Sequence, residues 1–151
     1  MLEIINTRKI NKELCSFLVL FFKAQSMTME TETIFGQVIS KANNYQIGDS
    51  SSGKHIIKSQ ELRDYERSFF QQCTIYKNRL IAKPFRLRID VYESSIRYDL
   101  DNALKTILDC LQYSKAITDD NLCIGIDATK HIDSRCPRIV YSIEETEPRL
   151  F

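Results

Sequence analysis

The sequence predicts an α+β fold, in which a small mixed, mostly antiparallel sheet is covered by helices. Several segments alternate apolar and polar residues, as half-buried strands do, and two others repeat apolar residues every three or four positions, as helices do. The elements follow the order strand, loop, helix, strand, helix, strand, strand, which lacks the strict alternation of a parallel α/β sheet. A chain of 151 residues with 43% apolar residues fits one domain with a single core.

Residues 1–28 are expected to be an N-terminal extension of unclear role, followed by a folded domain over 29–146 and a tail over 147–151. The extension contains the apolar run LCSFLVLFF, which at nine residues is shorter than the roughly 18–20 that span a bilayer. Basic residues precede this run but no A-x-A cleavage site follows it, so the signal for a secretory leader is weak. An extra helix, or a functional start at Met27 or Met29, is the favoured interpretation, and no membrane partner is expected.

The overall charge is nearly balanced, with 21 Lys+Arg against 20 Asp+Glu, so affinity for nucleic acid has to come from local clusters. One cluster lies between Lys77 and Arg97, which holds six basic residues and two acidic ones. The five cysteines are widely spaced and form no C-x-x-C pair, which argues against a disulfide framework or a zinc site. They indicate reduced thiols in a cytoplasmic protein.

The N-terminal half of the domain predicts a strand, a long loop and a helix. TETIFGQV, residues 31–38, favours a short strand, and residues 40–58 are rich in Ser, Gly and Asn, as loops are. Ser59 is the expected helix N-cap, because its hydroxyl can accept a hydrogen bond from a backbone N–H of the first turn. The apolar residues that then recur at helical spacing, and that we expect in the core, are Leu62, Tyr65, Phe69, Cys73 and Tyr76.

The C-terminal half predicts a basic strand, a second helix and two further strands. Residues 85–92 alternate apolar side chains with mostly basic or polar ones, which predicts a half-buried strand with a basic outer face. A helix follows and ends near Tyr113, and its apolar stripe is Leu100, Leu104, Ile107, Leu108 and Leu111. Residues 122–128 and 139–143 alternate again, and a turn at Pro137 separates these two strands.

Two aspartates, Asp99 and Asp101, stand at the start of the second helix in the stretch RYDLDNALK. If the chain is extended there, their i, i+2 spacing points both carboxylates to one side. Lys105 follows Asp101 by one helical turn, and Asp109 lies a further turn along the same face. The simpler interpretation is helix capping with i, i+4 ion pairs, which contribute only about 0.2–0.5 kcal/mol each.

A second acidic pair, Asp119-Asp120, opens the strand that is expected to lie beside the first basic strand. Parallel or antiparallel pairing is expected to bring Asp120 within reach of Asp99 and Asp101, although a role in a turn would also suit an aspartate. Three converging carboxylates repel one another unless a proton or a cation neutralises them. Magnesium prefers such oxygen ligands, and two ions about 3.5–4 Å apart can activate water for phosphodiester hydrolysis. Lys105 would then contact the scissile phosphate.

The run Arg97 to Asn102 (RYDLDN), followed at fixed spacing by Lys105, Asp109 and Asp119-Asp120, resembles the RusA-type Holliday junction resolvases, the crossover junction endodeoxyribonuclease family. The resemblance is best over residues 85–144. The segments SKANNYQIG and IIKSQELRDYERSF also resemble the N-terminal loop and first helix of that family, whereas residues 1–28 have no counterpart in it.

This resemblance implies a RusA-like, homodimeric nuclease domain over residues 29–146. It also implies that Asp99, Asp101 and Asp120 are the metal-binding catalytic carboxylates, with Mg²⁺ as cofactor, and that Lys105 is the catalytic lysine. The implied activity is nicking of two opposing strands of a four-way DNA junction. A homodimer suits that task, because two symmetric nicks need two equivalent sites.

We therefore expect a magnesium-dependent, structure-selective endodeoxyribonuclease that resolves Holliday junctions or other branched DNA by paired nicks. Contacts to the DNA backbone, which weaken steeply with salt, are assigned to basic residues in the long loop, the basic strand and the RYDLDN run. These residues are Lys41, Lys54, Lys58, Arg86, Arg88 and Arg97. Two alternatives stay open: a catalytically inactive branched-DNA-binding module whose acids only cap helices and turns, and a metal-dependent nuclease that acts on flaps or RNA.

Overall fold

The structure, a computed structural model, describes residues 29–41, 44–50 and 53–147. The predicted extension over residues 1–28 lies outside the described residues, so the domain boundaries stay predictions. None of the helices in the described ranges is long and apolar enough to cross a membrane.

The described residues form strands, two α-helices and one short 3-10 helix. In chain order they are β1 (Glu32–Phe35), β2 (Tyr45–Ser50), β3 (Gly53–Lys58), α1 (Gln60–Gln72), β4 (Phe85–Glu93), α2 (Leu100–Tyr113), the 3-10 helix (Asp120–Leu122), β5 (Cys123–Ile132) and β6 (Arg138–Glu145). Ser59 caps α1 as expected, since its Oγ accepts a hydrogen bond from the backbone N–H of Leu62 at 3.2 Å. The predicted helices and the strands at β4, β5 and β6 are confirmed.

Four strands form the main sheet in the order β1-β6-β4-β5. The pairs β1–β6 and β6–β4 are antiparallel, whereas β4 and β5 are parallel and are joined through α2. A parallel neighbour requires a crossover connection of this kind, and a helix commonly provides it. The predicted α+β fold with a mixed, mostly antiparallel sheet is therefore confirmed, and it leaves β5 at one edge.

The helices cover one face of this sheet. The inward positions of β4, from Phe85 through Val91, are buried against the apolar stripes of α1 and α2, where Phe69 and Ile107 have no exposed surface. The outward positions Arg86 and Arg88 are exposed. The period-two pattern of β4 thus correctly predicted its core side chains.

The five residues predicted for the first helix are all buried, although α1 ends before Cys73 and Tyr76. Of the stripe predicted for α2, Ile107 and Leu111 are buried and the other three leucines are half-buried.

A buried carboxylate, Glu32, connects β1 to the segment after α1. It accepts hydrogen bonds from the backbone N–H groups of Thr74 and Ile75 and from the hydroxyl of Tyr141, the last two at 2.7 and 2.8 Å. Burial by itself would raise the pKa of Glu32, but the hydrogen bonds outweigh burial and lower the pKa below its ordinary value. The ionised form of Glu32 is therefore part of the folded core.

The loop expected over residues 40–58 contains the β2–β3 hairpin, which corrects the sequence prediction. The strands pair antiparallel with Ile47 opposite Ile56, and they join neither edge of the main sheet. The polar and glycine residues of this segment outnumber its β-formers, so composition favoured a loop. Tyr45 and Ile47 alternate with polar or small residues before the turn, and this alternation indicates a strand in spite of the loop-like composition.

β1 is also shorter than the strand predicted over residues 31–38, because Gly36 takes a positive φ of 118° and ends it. Such a φ lies in the left-handed region that favours glycine. The N–H of Gly36 donates to the carbonyl of Pro137 at 2.9 Å, in the turn before β6.

Candidate active site

The connection from β4 to α2 places Asp99 at the N-cap position of α2, with extended backbone angles of φ −88° and ψ 130°. Its side chain forms no capping hydrogen bond to the helix, and its described hydrogen bond is a long one of 3.4 Å from the Nδ2 of Asn102. Capping therefore does not account for the carboxylate of Asp99. Asp99 is exposed, so its carboxylate is accessible to a ligand.

Asp101 and Lys105 lie on the exposed surface of the first two turns of α2. Although they are four residues apart, neither forms an ion pair with any residue in the described ranges. A carboxylate in the first turn is stabilised by the positive end of the helix dipole. Asp99, Asp101 and Lys105 thus present two carboxylates and an ammonium group beside one helix start, without the ion pair that the simpler interpretation required.

Asp109 belongs to a different group of charges. It forms an ion pair with Lys41, whose Nζ also lies 3.8 Å from Glu66, and Glu66 in turn binds Lys58 at 2.8 Å. Burial lowers the pKa of Lys41, but the bond to Asp109 outweighs burial and raises it. The structure therefore assigns Asp109, Lys41 and Lys58 to ion pairs that join α1, α2 and β3.

A cavity of about 210 Å³ lies against the start of α2 and includes Asp99 and Arg97 in its lining. Glu93, the last residue of β4, also lines it and is only 1% exposed. Burial raises the pKa of this carboxyl, while a hydrogen bond from Gln37 acts in the opposite direction. Glu93 was missed in the sequence, although the alternation from Phe85 to Val91 makes it the next inward position.

Asp120 lies at the other end of the sheet from Asp99. The start of β5 pairs with the start of β4, Cys123 beside Phe85, whereas Asp99 shares a cavity with Glu93 at the end of β4. The eight steps from Phe85 to Glu93, the first and last residues of β4, at about 3.3 Å each, separate the two ends by roughly 26 Å. One chain therefore does not bring Asp120 to Asp99 and Asp101, and the described residues contain no group of three acidic, histidine or cysteine side chains spaced for a metal ion.

The neighbouring Asp119 has a local role, because its carboxylate accepts a hydrogen bond from the N–H of Asn121 at 2.9 Å and caps the 3-10 helix. A turn role thus accounts for Asp119. Asp120, which is half-buried, has no such bond among the described residues and stays available.

The six basic residues assigned to DNA fall into two groups. Lys41 and Lys58 are engaged as described above, and Arg88 lies 3.2 Å from Glu144 and 3.9 Å from Asp127. Arg86 and Arg97 form no ion pair with a described residue, and Lys54 is exposed and lies opposite Asp49 in the hairpin register. Arg86 and Arg88 also lie on the open face of the sheet, opposite the helices, whereas Arg97 lines the cavity that contains Asp99.

Comparison with protein families places these elements in a known class. The family model of endodeoxyribonuclease RusA matches residues 36–144, a range that runs from the end of β1 almost to the end of β6. It therefore includes Asp99, Asp101, Lys105 and Asp120. No curated protein gives a significant match. Because the family model covers most of the chain, this protein belongs to the RusA endodeoxyribonuclease family and is an endonuclease of the Holliday junction resolving class.

Proposed function

We propose that this protein is a magnesium-dependent, structure-selective endodeoxyribonuclease that nicks branched DNA, four-way junctions above all, by phosphodiester hydrolysis. The observation that carries the proposal is the state of Asp99 and Asp101 at the start of α2. Neither carboxylate is used as a side-chain cap or in an ion pair with a described residue. Membership of the RusA family supports a nuclease role for such acids.

The donor set at the start of α2 fits magnesium. Mg²⁺ uses oxygen ligands and commonly takes one or two carboxylates together with waters and substrate phosphates, and Asp99 and Asp101 offer two adjacent carboxylates with accessible oxygens. When bound, the ion would stabilise charge on the scissile phosphate and favour ionisation of an attacking water. The proposed metal ligands of one chain are therefore Asp99 and Asp101.

Basic side chains around these acids would bind the phosphates of the DNA. Lys105, exposed and without an ion pair to a described residue, is positioned to donate to phosphate oxygens as negative charge develops on them. Arg97, at the rim of the cavity next to Asp99, suits a neighbouring phosphate, which its planar guanidinium group can bind through two hydrogen bonds. Holding the DNA backbone on both sides of the scissile bond fixes the geometry of attack.

We infer a homodimer from the edge strand β5. Ile126 and Ile132 lie next to the inward residues Leu87 and Glu93 of β4, yet they are 40% and 49% exposed. A long strand with unpaired backbone groups and exposed apolar side chains favours pairing with another strand. A second copy of β5 would pair with the backbone hydrogen-bonding groups of this edge. The two strands would run antiparallel, because a two-fold axis relates two identical strands in that way.

This dimer would also complete the metal site. Antiparallel pairing sets the start of β5 in one subunit against the end of β5 in the other. The partner subunit's Asp120 would then approach Asp99 and Asp101, which lie at the end of β4, the strand parallel to β5. The location of Asp120 and Asp99 at opposite ends of β4 within one chain is thus explained if each site is shared between two subunits.

The first experiment measures nicking of a labelled four-way junction and of its matched duplex, with magnesium or with EDTA. Wild type should introduce paired nicks in the junction that require magnesium, and Asp101→Asn should abolish them. Flap and RNA substrates in the same assay test the alternative nuclease. If both proteins bind the junction equally and neither nicks it, the catalytically inactive binding module is the correct function.

The second experiment tests the shared site by mixing Asp101→Asn and Asp120→Asn chains through joint refolding. If sites are shared, a mixed dimer carries both substitutions in one site and leaves the other intact, so about a quarter of the wild-type sites should return. Mn²⁺ binding, followed by electron paramagnetic resonance, should recover to the same extent. If every site were contained in one chain, the mixture would stay as inactive as its components.

A further inference from the structure

The β2–β3 hairpin exposes two isoleucines that the proposed chemistry does not use. Ile47 and Ile56 are 75% and 74% exposed, more than any other large apolar side chain in the described ranges. They are direct cross-strand partners, so both point to the same face of the hairpin. Because the hairpin joins neither edge of the main sheet, this apolar pair projects from the folded body.

The base of the hairpin lies at the candidate active site. The N–H of Ser59 donates to the carbonyl of Asn44 at 2.7 Å, and the Oγ of Ser59 lies 3.0 Å from the Oδ1 of Asn44, which closes the base. Asn44 and Ser40 line the same cavity as Asp99 and Arg97. DNA held at Asp99 therefore passes within reach of the hairpin, whose six-residue strands extend about 17–20 Å.

The position of the hairpin beside the cavity of Asp99 and Arg97 favours a nucleic acid as the partner, and its charges are compatible with one. Lys54 and Lys58 outnumber Asp49, the one acid among residues 45–58, although Asp49 lies directly opposite Lys54 in the strand register. Both lysines belong to the same face as Ile56, since they are two positions away from it along β3. Lys58 is held in place by Glu66 at 2.8 Å, and Lys54 is exposed. An apolar pair flanked by lysines matches a base step flanked by phosphates.

We propose that the hairpin inserts Ile47 and Ile56 at the branch point of the DNA and thereby selects branched DNA over duplex. This inference rests on the proposed function. Apolar side chains that wedge between base pairs have to overcome stacking of a few kcal/mol per step. At a branch point, stacking is already interrupted on one side, so the same insertion costs less there. The hairpin thus gives structure selectivity without reading sequence.

The test uses Asp101→Asn protein in EDTA, so that binding is measured without cleavage, on a junction that carries 2-aminopurine beside the branch point. Binding should raise the fluorescence of 2-aminopurine as its base unstacks. In the same background, Ile47→Thr/Ile56→Thr removes the apolar pair but keeps β-branched residues that suit strands. The matched control is Phe35→Thr, which replaces another exposed apolar residue, 53% exposed, in β1.

The double threonine variant should lose the fluorescence rise and bind the junction about tenfold more weakly, with duplex affinity changed less than about twofold. Phe35→Thr should behave like its parent. An unchanged fluorescence rise with an unchanged ratio of junction to duplex affinity would overturn the inference. So would conversion of a dimer to a monomer by the double substitution, because the isoleucines would then belong to a subunit contact.

Failure of the proposed function is distinguishable in the nicking assay. If the chain with Asp101 intact nicks no branched substrate, the proposed function fails and this inference fails with it. If that chain nicks junctions while the double threonine variant retains the fluorescence rise, only the hairpin inference fails.

Discussion

Two groups of acids in this protein differ in their surroundings: the buried Glu32 is hydrogen-bonded within the fold, whereas Asp99 and Asp101 are exposed at the candidate active site. Glu32 is buried between β1, β6 and the segment after α1, and it accepts hydrogen bonds from Ile75, Tyr141 and their neighbours. Asp99 and Asp101 stand at the start of α2 with almost no protein partners. Removing Glu32 should therefore affect folding, and removing Asp99 or Asp101 should affect chemistry.

The largest expected effect is the loss of nicking in Asp99→Asn. Removal of one metal-binding charge should lower the rate by at least about 100-fold, in the range seen when a single electrostatic contribution to catalysis is removed. The free energy of unfolding should fall by less than about 1 kcal/mol, since only the interaction with the helix dipole is lost. Single-turnover nicking and urea denaturation measure the two quantities.

Asp64→Asn is the matched control, because Asp64 is an exposed acid on α1, far in the chain from the site. It should keep full activity. A loss of nicking in Asp64→Asn equal to that in Asp99→Asn would mean that negative surface charge, and not a defined site, is responsible.

The next largest effect is a loss of stability in Glu32→Gln. In the variant, the NH₂ group of the glutamine amide would face the N–H and O–H donors that surround the carboxylate in wild type. Hydrogen bonds to charged groups contribute about 1.5–3 kcal/mol. We expect the free energy of unfolding to fall by about 2–3 kcal/mol, with nicking per folded molecule unchanged. Unaltered stability in urea denaturation would contradict the structural role of Glu32.

The pH dependence of stability should differ between wild type and Glu32→Gln. The pKa of Glu32 is lowered from 4.5 in the folded state. Ionised Glu32 therefore contributes to the free energy of unfolding at pH values above the pKa that Glu32 has in the unfolded chain. This contribution is lost as the pH falls below about 4.5 and passes through the lower pKa of Glu32 in the folded protein. Urea denaturation between about pH 3 and 7 should show the two proteins converging in stability toward acid. Parallel curves would mean that Glu32 does not titrate with folding.

The smallest expected effect is on DNA binding, and it compares two arginines, one without an ion pair to a described residue and one engaged with acids. Arg97→Gln should weaken junction binding by roughly 1 kcal/mol and lower the salt slope by about one, as loss of a phosphate contact does. Arg88→Gln should change binding less, because Arg88 is engaged with Glu144 and Asp127 on the open face. Fluorescence anisotropy at several salt concentrations tests the order, and a larger effect of Arg88 would reverse it.

Features set by local spacing could be predicted from the sequence, and features set by contacts between distant segments could not. The Ser59 cap, the stripe from Leu62 to Phe69 on α1 and the alternation of β4 follow from neighbours in the chain. The same holds for the placement of Asp99, Asp101 and Lys105 around one helix start.

The position of Asp120 depended instead on the direction in which β5 pairs with β4, which no local pattern encodes. The pairing of Lys41 with Asp109 likewise joins residues 68 positions apart. The local sequence around a basic residue does not indicate whether an acid from a distant segment forms an ion pair with it.

The sheet order has a consequence for how the chain folds. β1, the first described strand, has only β6, the last, as its neighbour, and the contact of Glu32 with Tyr141 bridges 109 positions. Contacts of such long sequence separation form late, because a large loop has to close first. On the ribosome, β1 thus has no strand to join and Glu32 lacks the hydroxyl of Tyr141 until β6 has been synthesised, so a nascent chain cut short before β6 cannot complete the main sheet.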